Sequence, residues 1–288
     1  MQQRLSDILS NKIFTRDEDG IYATPMRAGS ADQEMEKKLR EAVAEQEYDN
    51  YLAAVSNSHS IPVMDYEVDR FLANMPTGAL ILDVGGCWGW HWRRVAETRP
   101  DIGILIIDFV KANLSHAKKI LGPLLESQVA LMHADATSLP FPDAVLSGQG
   151  FDGVWSVQVY QHIPDFALAC REAYRVLKPG GRFATYSLNR TPFNRFVFRL
   201  FNKHFHTDGM VNNQYYLVRA NDEQRDTVKQ VFGGVVDRYT ECLFHPDLKL
   251  SFSGRPGSIV GKLDVLLGAV PWIGMWFARQ RSFESIKK

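Results

Sequence analysis

Residues 80–92 read LILDVGGCWGWHW, an apolar run that passes directly into a glycine-rich turn. A continuous apolar run of this length predicts a strand covered on both faces, as in a parallel sheet. Gly85, Gly86 and Gly89 follow it, and glycine lets the backbone turn tightly or approach a ligand closely. The stretch therefore predicts a strand, a turn and a helix that opens at Trp90, whose free N–H groups would suit a carboxylate or phosphate.

Similar apolar runs return at regular intervals along the chain. Besides residues 79–84, strands are predicted at 102–109, 129–135, 151–159 and 182–188, with helices between them at 90–98, 111–121 and 166–177. A further helix at 222–232 and two more strands, at 235–244 and within 275–283, would complete the sheet. Strands that alternate with helices predict an α/β fold with a doubly wound, mostly parallel, seven-stranded sheet.

The remaining segments are predicted to elaborate this core. Residues 1–76 are expected to form an N-terminal segment and helical cap, with helices at 31–56 and 65–74. Residues 77–188 form the core. Residues 189–219 are aromatic and basic and exceed an ordinary loop in length, so they predict an insertion or lid after the fifth strand. Residues 220–288 are expected to complete the sheet.

Composition describes a globular chain without a strong overall field. Among 288 residues, 45% are hydrophobic and 23% are charged, which excludes disordered and coiled-coil classes. Lys plus Arg number 33 and Asp plus Glu number 33, so no net positive charge draws the chain to nucleic acid. We therefore expect a small-molecule partner rather than a nucleic acid.

The cysteines and the apolar segments bear on location. Cys87, Cys170 and Cys242 are far apart and form no CxxC pair, which predicts a reducing compartment. The first twenty residues lack the apolar run of a secretory signal. The longest apolar stretch, residues 265–278, is shorter than the ~18–20 residues of a spanning helix and contains a proline. We expect a cytoplasmic protein without a transmembrane segment.

Acidic residues end two of the predicted strands. Asp108 closes the second strand, where a carboxylate can accept hydrogen bonds from a ribose diol, and Asp135 closes the third. The dinucleotide fingerprint requires G-x-G-x-x-G, whereas the turn here reads GGCWG. A nicotinamide-dependent oxidoreductase is therefore the weaker interpretation of this nucleoside site.

Five blocks in order carry a resemblance to a known family. They are LDVGGCWG at 82–89, IIDF at 106–109, HADATSLPFPDA at 133–144, FDGVWSVQVYQHIPD at 151–165 and CREAYRVLKPGGRF at 170–183. Together they make the segment 79–188 resemble the core of a class I S-adenosylmethionine-dependent methyltransferase of the type 11 group. The resemblance leaves residues 1–50 and the insertion at 189–219 uncovered.

The resemblance implies S-adenosyl-L-methionine as cofactor and assigns its contacts. Asp108 would hold the ribose hydroxyls under the adenine-covering Phe109, while Asp135 would accept from the adenine amino group. The full set of implied cofactor residues is Asp83, Gly85, Gly86, Gly89, Asp108, Phe109, Asp135, Ala136 and Gln158. Cys87 stands where the family has a glycine, beside the bulky Trp88, and would crowd the cofactor or change the turn.

Methyl transfer from a sulfonium needs positioning more than bond activation, so few catalytic side chains are required. A base is needed only for a hydroxyl, a thiol or an acidic carbon. The resemblance places the loop after the fourth strand near the methyl group, which makes His162 the candidate base and Tyr160 a second candidate. A structural hydrogen-bonding role is the alternative for His162.

Three further groups of side chains admit more than one interpretation. His204, His206 and Asp208, with His245 and Asp247, have the ligand types of zinc or iron, yet the resemblance implies no metal, and substrate contact is favoured. The apolar residues of 193–201 recur at helical spacing, which is typical of a packed helix, a substrate lid or a membrane-surface helix. Tyr48, Tyr51 and His59 are expected to pack in the cap or to contact the ligand.

Taken together, the sequence predicts an enzyme that transfers a methyl group from S-adenosylmethionine to a small or medium-sized biosynthetic molecule. Oxygen and nitrogen are the expected acceptor atoms, carbon is the less favoured alternative, and the acceptor is hydrophobic or lipid-linked in one interpretation. The alternative from another class is a non-catalytic S-adenosylmethionine-binding protein that serves as a regulatory or scaffold subunit.

Overall fold

The computed structural model describes residues 2–10, 13–26, 29–46, 60–125, 127–189, 192–203, 210–211, 214–215, 221–245, 248–250 and 252–288. The helices are α1 (Gln3–Leu9), α2 (Ala31–Gln46), α3 (Ser60–Ala73), α4 (Val95–Thr98), α5 (Lys111–Leu121), α6 (Ala144–Ser147), α7 (Phe166–Val176), α8 (Pro192–Leu200), α9 (Asp222–Phe232), α10 (Gly254–Gly268) and α11 (Pro271–Phe277). The strands are β1 (Thr15–Arg16), β2 (Tyr22–Ala23), β3 (Leu80–Val84), β4 (Gly103–Asp108), β5 (Val129–His133), β6 (Phe151–Val157), β7 (Leu177–Asn189), β8 (Met210–Val211), β9 (Gln214–Tyr215), β10 (Val236–Thr240) and β11 (Gln280–Ile286).

One twisted sheet organises these elements in the order β1-β2-β5-β4-β3-β6-β7-β11-β10. Strands β2, β5, β4, β3, β6 and β7 run parallel to one another, whereas β1 is antiparallel to β2, and β11 is antiparallel to both β7 and β10. The apolar pattern predicts seven of these strands, namely β5, β4, β3, β6, β7, β11 and β10. The doubly wound α/β fold is therefore confirmed. The short strands β1 and β2 extend the sheet beyond β5 and were not predicted.

Alternate residues of each central strand face opposite layers, which explains the continuous apolar runs. Leu80 and Leu82 pack into a core that includes α1, α7 and α9. Ile81 packs on the other face, into a core that includes α3 and α5. Both faces of the sheet are therefore buried under helices, as expected of a parallel sheet.

Some boundaries differ from the sequence predictions: α3 begins at Ser60 rather than at 65, and β7 begins at Leu177 rather than at 182. Two others differ for local reasons. The predicted helix at 90–98 is split into a 3₁₀ turn, Trp90–Trp92, and the short α4, because the side chains of His91 and Trp92 turn inward to a buried carboxylate. The final strand begins at Gln280, after the start of the predicted range, because Pro271 occupies the first turn of a helix that continues to Phe277.

The N-terminal helix α1 packs at the amino-terminal ends of the strands. Leu5 and Leu9 belong to the hydrophobic core. Arg4 donates to the Gly78 carbonyl and, at 2.6 Å, to Asp152, both of which lie at the start of a core strand. Residues 2–10 therefore complete the core at the amino-terminal ends of the strands. Helix α2 lies at the other end of the sheet, near the carboxyl ends of the strands, where a cap is expected.

No single helix within the described ranges is long and apolar enough to cross a membrane. Helices α10 and α11 are long and apolar enough for that only when they are taken together, and the chain bends by 115° between them.

Candidate active site

A cavity of about 340 Å³ opens at the carboxyl ends of β3 to β6. Its volume falls in the range of small-molecule sites, and carboxyl strand ends are where doubly wound folds bind ligands. The residues in its wall that the sequence predicted as cofactor contacts are Gly85, Gly86, Gly89, Asp108, Phe109, Asp135, Ala136 and Gln158. The structure thus brings together every predicted cofactor residue except Asp83.

The glycine positions of the turn after β3 leave no room for a side chain. A Cβ on Gly86 would clash with Oδ2 of Asp83, and one on Gly89 would clash with Leu121. Gly85 adopts a φ of 67° and donates its N–H to the Ile107 carbonyl at 2.8 Å. The turn therefore lies tightly against β4, and its backbone forms one wall of the cavity.

Asp83 supports this turn from below. Its carboxylate is fully buried, and Oδ2 lies 2.9 Å from Nε2 of His91 and accepts from Nε1 of Trp92 at 2.8 Å. These bonds tie the end of β3 to the 3₁₀ turn beyond the glycines. Asp83 therefore stabilises the conformation of the turn. It lies at the start of the turn, as predicted, but beneath it and not in the cavity wall.

Cys87 and Trp88 line the cavity and leave it open. Cys87 has a φ of 50°, the left-handed conformation that favours glycine, which accounts for the glycine expected here. Its N–H donates to Oδ2 of Asp108 at 3.0 Å, and burial together with the Asp108 charge raises the pKa of its thiol. Trp88 packs edge-on against His116 at a ring distance of 5.7 Å.

Asp108 is held at the end of β4 by three donors. Oδ1 accepts from the Val110 N–H at 2.8 Å and from Asn113 at 3.2 Å, while Oδ2 accepts from the Cys87 N–H. Burial raises the pKa of this carboxyl to about 6 in spite of these bonds. The next residue, Phe109, lines the cavity with Lys37 5.2 Å from its ring centre.

Asp135 lies after β5 and is reached by the N-terminal helix α2. Oδ1 accepts from the N–H and hydroxyl of Thr137, both at 2.8 Å. Oδ2 accepts from the side chain of Gln33 at 2.7 Å. Ala136 also lies in the wall, so its backbone borders the same space.

The fourth strand ends in a strained residue that faces the cavity. Gln158 has a φ of 58°, and its N–H donates to the Tyr186 carbonyl at 3.0 Å. A positive φ is uncommon outside glycine and concentrates at functional sites. With this conformation, the residues after β6 run close to the glycine turn. Val159 lies so near Gly85 that it would contact any Cβ added there.

His162 reaches the cavity wall within a charged cluster. Its Nδ1 lies 3.1 Å from a guanidinium nitrogen of Arg40 and 3.4 Å from Glu36. Because guanidinium only donates, Nδ1 is the acceptor, and a neutral imidazole carries its proton on Nε2, which lies 3.2 Å from the side-chain amide of Gln161. Burial, with Arg40 nearby, lowers the pKa of His162 to about 3. This imidazole therefore stays neutral over the physiological pH range.

The structure corrects the second catalytic candidate. The Tyr160 side chain is fully buried in the hydrophobic core, with its ring 5.7 Å from Phe166 and 5.6 Å from Phe183. Burial also raises the pKa of its hydroxyl well above the usual value. A tyrosine ring that packs between two phenylalanines belongs to the core, and the polar residues Gln158, Gln161 and His162 around it in the sequence gave no sign of this.

Helix α2 contributes three cavity residues that the sequence analysis overlooked. Gln33, Glu36 and Arg40 lie on one face of α2 at helical spacing and line the cavity. Glu36 accepts from Arg40 at 2.6 Å, and its Oε2 is buried with no hydrogen-bond partner among the described residues. Burial raises the pKa of Glu36, opposed by Arg40. The helical spacing of these three residues was the signal available in the sequence. It did not distinguish them, because α2 is rich in charged residues throughout.

Several predicted ligand residues lie outside the described residues: Tyr48, Tyr51, His59, His204, His206, Asp208 and Asp247. His245 is described, and its buried ring lies 3.1 Å from the Cys242 carbonyl and packs against Phe193. Across the described parts of the chain, no three His, Cys, Asp or Glu side chains are placed to hold a metal ion.

A doubly wound sheet with a glycine turn and acids at two neighbouring strand ends defines a nucleoside-binding α/β protein. Residues 82–185 match the family model described as a methyltransferase domain. This segment is therefore similar to the methyltransferase domains of that family, and the match falls on the residues that the five sequence blocks identified.

Comparisons with individual proteins agree with this family. A sterol 24-C-methyltransferase of Eremothecium gossypii is 35% identical over 116 residues, which make up 40% of this chain and 29% of that protein. A 27-O-demethylrifamycin SV methyltransferase of Amycolatopsis mediterranei is 34% identical over 119 residues, 40% of this chain and 42% of that protein. The similarity thus spans less than half the length of these curated relatives.

Similarity at the level of the fold extends further along the chain. The crystal structure of an S-adenosylmethionine-dependent methyltransferase from Thermotoga maritima superposes with a TM-score of 0.54 at 16% identity. The superposition covers 88% of this chain and 100% of that one. At this identity it shows a shared fold.

Proposed function

We propose that the protein transfers a methyl group from S-adenosyl-L-methionine to a small or medium-sized biosynthetic molecule, at oxygen or nitrogen. The observation that carries the proposal is the cavity in which Asp108 and Asp135 end adjacent strands beside the glycine turn. Two acids one strand apart suit the sugar and the base of one nucleoside.

The residues present fit this cofactor. A Cβ on Gly86 would clash with Asp83 and Ile106, so the turn packs closely on the strands beneath it and its backbone is left to line the cavity. Among the described residues, Oδ2 of Asp108 accepts one hydrogen bond, from the Cys87 N–H, and so retains capacity for a ribose hydroxyl. We propose Phe109 as the adenine cover, with Asp135, Ala136 and Gln158 as the further contacts.

When bound, S-adenosylmethionine supplies an electrophilic methyl group on a positive sulfur. The task of the chain is then to orient the acceptor and exclude water, and orientation alone can supply up to ~7–11 kcal/mol of the barrier reduction. Contacts of α2 with the strand ends, through Gln33 to Asp135 and Arg40 to His162, narrow the cavity mouth.

A proton must leave when the acceptor is a hydroxyl or a protonated amine. We propose Glu36 as the group that accepts it, because burial raises its pKa and its Oε2 is unpartnered among the described residues. We propose His162, whose Nδ1 accepts from Arg40 and whose Nε2 lies 3.2 Å from the side-chain amide of Gln161, as a residue that positions Arg40 at the cavity. Its low pKa weakens it as a base, and Tyr160 is not proposed again.

The cavity wall favours an acceptor with apolar parts. Apart from the cofactor residues, Met64, Trp90, Val157 and Ile163 line it. The names of the two curated relatives refer to a sterol and a rifamycin, one methylated at carbon and the other at oxygen. We therefore propose a hydrophobic or lipid-linked acceptor, and carbon stays a less favoured acceptor atom.

The location and the division of the chain are also proposals. A cytoplasmic location is supported by the three cysteines, which are free in the structure. The assignment of 1–76 to a cap and 189–219 to a lid is supported by α2 at the cavity mouth and α8 after β7. Helix α1 is an exception within 1–76, since it packs in the core.

Cofactor binding is tested by titrating the protein with S-adenosylmethionine, S-adenosylhomocysteine and NAD while tryptophan fluorescence is followed. Trp88 and Trp90 line the cavity, so a bound ligand changes their emission. Binding of the first two compounds and not of NAD is expected. The reverse order of affinities would discard the proposal in favour of an oxidoreductase.

Catalysis is tested separately with methyl-labelled S-adenosylmethionine and a small-molecule extract of the source cells. Appearance of label in one compound, identified by mass, is expected. Cofactor binding without any transferred label would favour the alternative function, a non-catalytic S-adenosylmethionine-binding regulatory or scaffold subunit.

A further inference from the structure

Large apolar side chains are exposed on three helices near the C-terminal half of the chain. Trp272 and Trp276 on α11 are 64% and 61% exposed, and Phe196, Leu200, Ile259 and Leu263 on α8 and α10 are similarly open. More than half of the exposed large hydrophobic side chains of the described residues lie on or beside these three helices. A concentration of this kind marks an interaction site.

These helices are neighbours, and α11 lies between the other two. The rings of Phe193 on α8 and Phe277 on α11 are 5.2 Å apart, and α11 also packs against α10. Gly274 faces inward, since a Cβ there would lie 2.5 Å from Cβ of Tyr239 on β10. Trp272 and Trp276, two residues to either side, are therefore turned outward.

The three helices lie at the same edge of the sheet as the cavity. The first residue of β11, Gln280, pairs with Asn189 at the end of β7 and with Thr240 at the end of β10. Helix α11 immediately precedes it and so lies at the carboxyl edge. Helix α10 packs against α3, which contributes Met64 to the cavity wall.

The described residues that carry an exposed charge on this surface are all positive. Its exposed charged residues are Arg195, Arg199, Lys203, Arg255 and Lys262. The single acid within α8, α10 and α11, Asp264, is fully buried and accepts from the N–H groups of Cys242 and Leu243. Among the described residues of the three helices, the exposed face is therefore apolar and positive.

We propose that α8, α10 and α11 dock the protein on the surface of an anionic phospholipid bilayer. Exposed tryptophans with surrounding Lys and Arg are the pattern of an interfacial helix, whose rings enter the headgroup region while its cations meet anionic lipids. The 115° bend between α10 and α11 keeps them from forming one straight span, so the helices lie along the surface. The proposal does not depend on the reaction in the cavity.

The test is flotation of the full chain with phosphatidylcholine vesicles prepared with and without phosphatidylglycerol. Binding to the anionic vesicles, weakened by salt, is expected. The double variant Trp272→Ala/Trp276→Ala should lower the vesicle partition coefficient about tenfold, and Arg199→Glu/Lys262→Glu should lower it on anionic vesicles only. The matched controls are Leu146→Ala, an exposed leucine on α6, and Lys229→Glu, an exposed lysine on α9, which should bind as the unmodified protein does.

Circular dichroism and the thermal midpoint of each variant establish that it is folded. Absence of flotation with anionic vesicles would overturn the proposal, and so would flotation that the tryptophan variant retains. Concentration-dependent dimerisation that the tryptophan variant abolishes, without vesicle binding, would assign the surface to a second copy of the chain instead. None of these outcomes requires cofactor binding, so the test is independent of the methyltransferase proposal.

Discussion

At the scale of single residues, Asp108 combines two opposing requirements. Its position at the end of β4 removes the carboxylate from water and raises its pKa to about 6, whereas a ribose diol requires the ionised acceptor. The N–H groups of Val110 and Cys87 offset part of the penalty of burial. Proton binding at Asp108 therefore competes with cofactor binding near neutral pH.

The affinity for S-adenosylhomocysteine should fall as the pH drops through about 6, because protonated Asp108 loses its charge-assisted bonds to the ribose. One pH unit below that pKa the affinity should be about tenfold lower than at pH 8, as measured by isothermal titration calorimetry.

The stability of the ligand-free protein should depend on pH in the opposite direction. A raised folded pKa makes the contribution of Asp108 to stability largest below about pH 4, and this contribution is lost as the pH rises through about 6.

Asp108→Asn should flatten this pH dependence and weaken binding by ~1–3 kcal/mol at pH 8. The exposed Asp226→Asn, on α9, is the control and should retain the wild-type profile. An unchanged affinity of Asp108→Asn would show that the ribose lies elsewhere.

Glu36→Gln should lower the rate of label transfer by about 10²-fold or more while leaving the cofactor affinity nearly unchanged. The reason is that the amide keeps the size of the side chain but cannot take a proton from the acceptor. The exposed Glu34→Gln in the same helix is the matched control. Wild-type transfer rates in Glu36→Gln at every pH would remove Glu36 as the proton acceptor.

At the scale of elements, the turn between β3 and the 3₁₀ segment behaves as one unit. Gly86 contacts the Asp83 carboxylate, and Asp83 in turn bonds His91 and Trp92. A side chain at Gly86 would therefore disturb the turn and its support together.

Gly86→Ala should abolish detectable cofactor binding and lower the free energy of unfolding by ~1–3 kcal/mol, since its Cβ would overlap Asp83 and Ile106. Gly122→Ala provides the control, because a Cβ there meets nothing within 4 Å and the backbone is helical. Calorimetric titration and urea unfolding measure the two effects. Full binding by Gly86→Ala would mean that the turn yields more readily than its contacts indicate.

Elements with strong local signals were predicted well, and those decided by distant contacts were not. Helix α5 and helix α9 have the predicted bounds because their apolar periodicity and flanking residues specify them locally. The contact of Gln33 with Asp135 joins segments about a hundred residues apart, and no local pattern encodes it. The same holds for Tyr160, whose position in the motif loop gave no sign that its ring packs in the core.

At the scale of the whole molecule, α1 belongs to the central domain although it lies far from the core motifs in sequence. Leu5→Ala should lower the free energy of unfolding by ~2–5 kcal/mol, because the side chain is fully buried in the core. Ile13→Ala, at a half-exposed position nearby, should change it by only about 0.5 kcal/mol. Urea unfolding distinguishes them, and equal small effects would make α1 an appendage.

Strand β11 lies between β7 and β10 in the sheet, yet it follows both of them along the chain. A ribosome that synthesises this protein therefore releases β10 before the strand that joins it to the sheet exists. Until β11 emerges, the edge of β7 presents unpaired N–H and C=O groups, which invite association between nascent chains. Closure of the sheet, and with it burial of that edge, thus follows the synthesis of every other strand of this sheet.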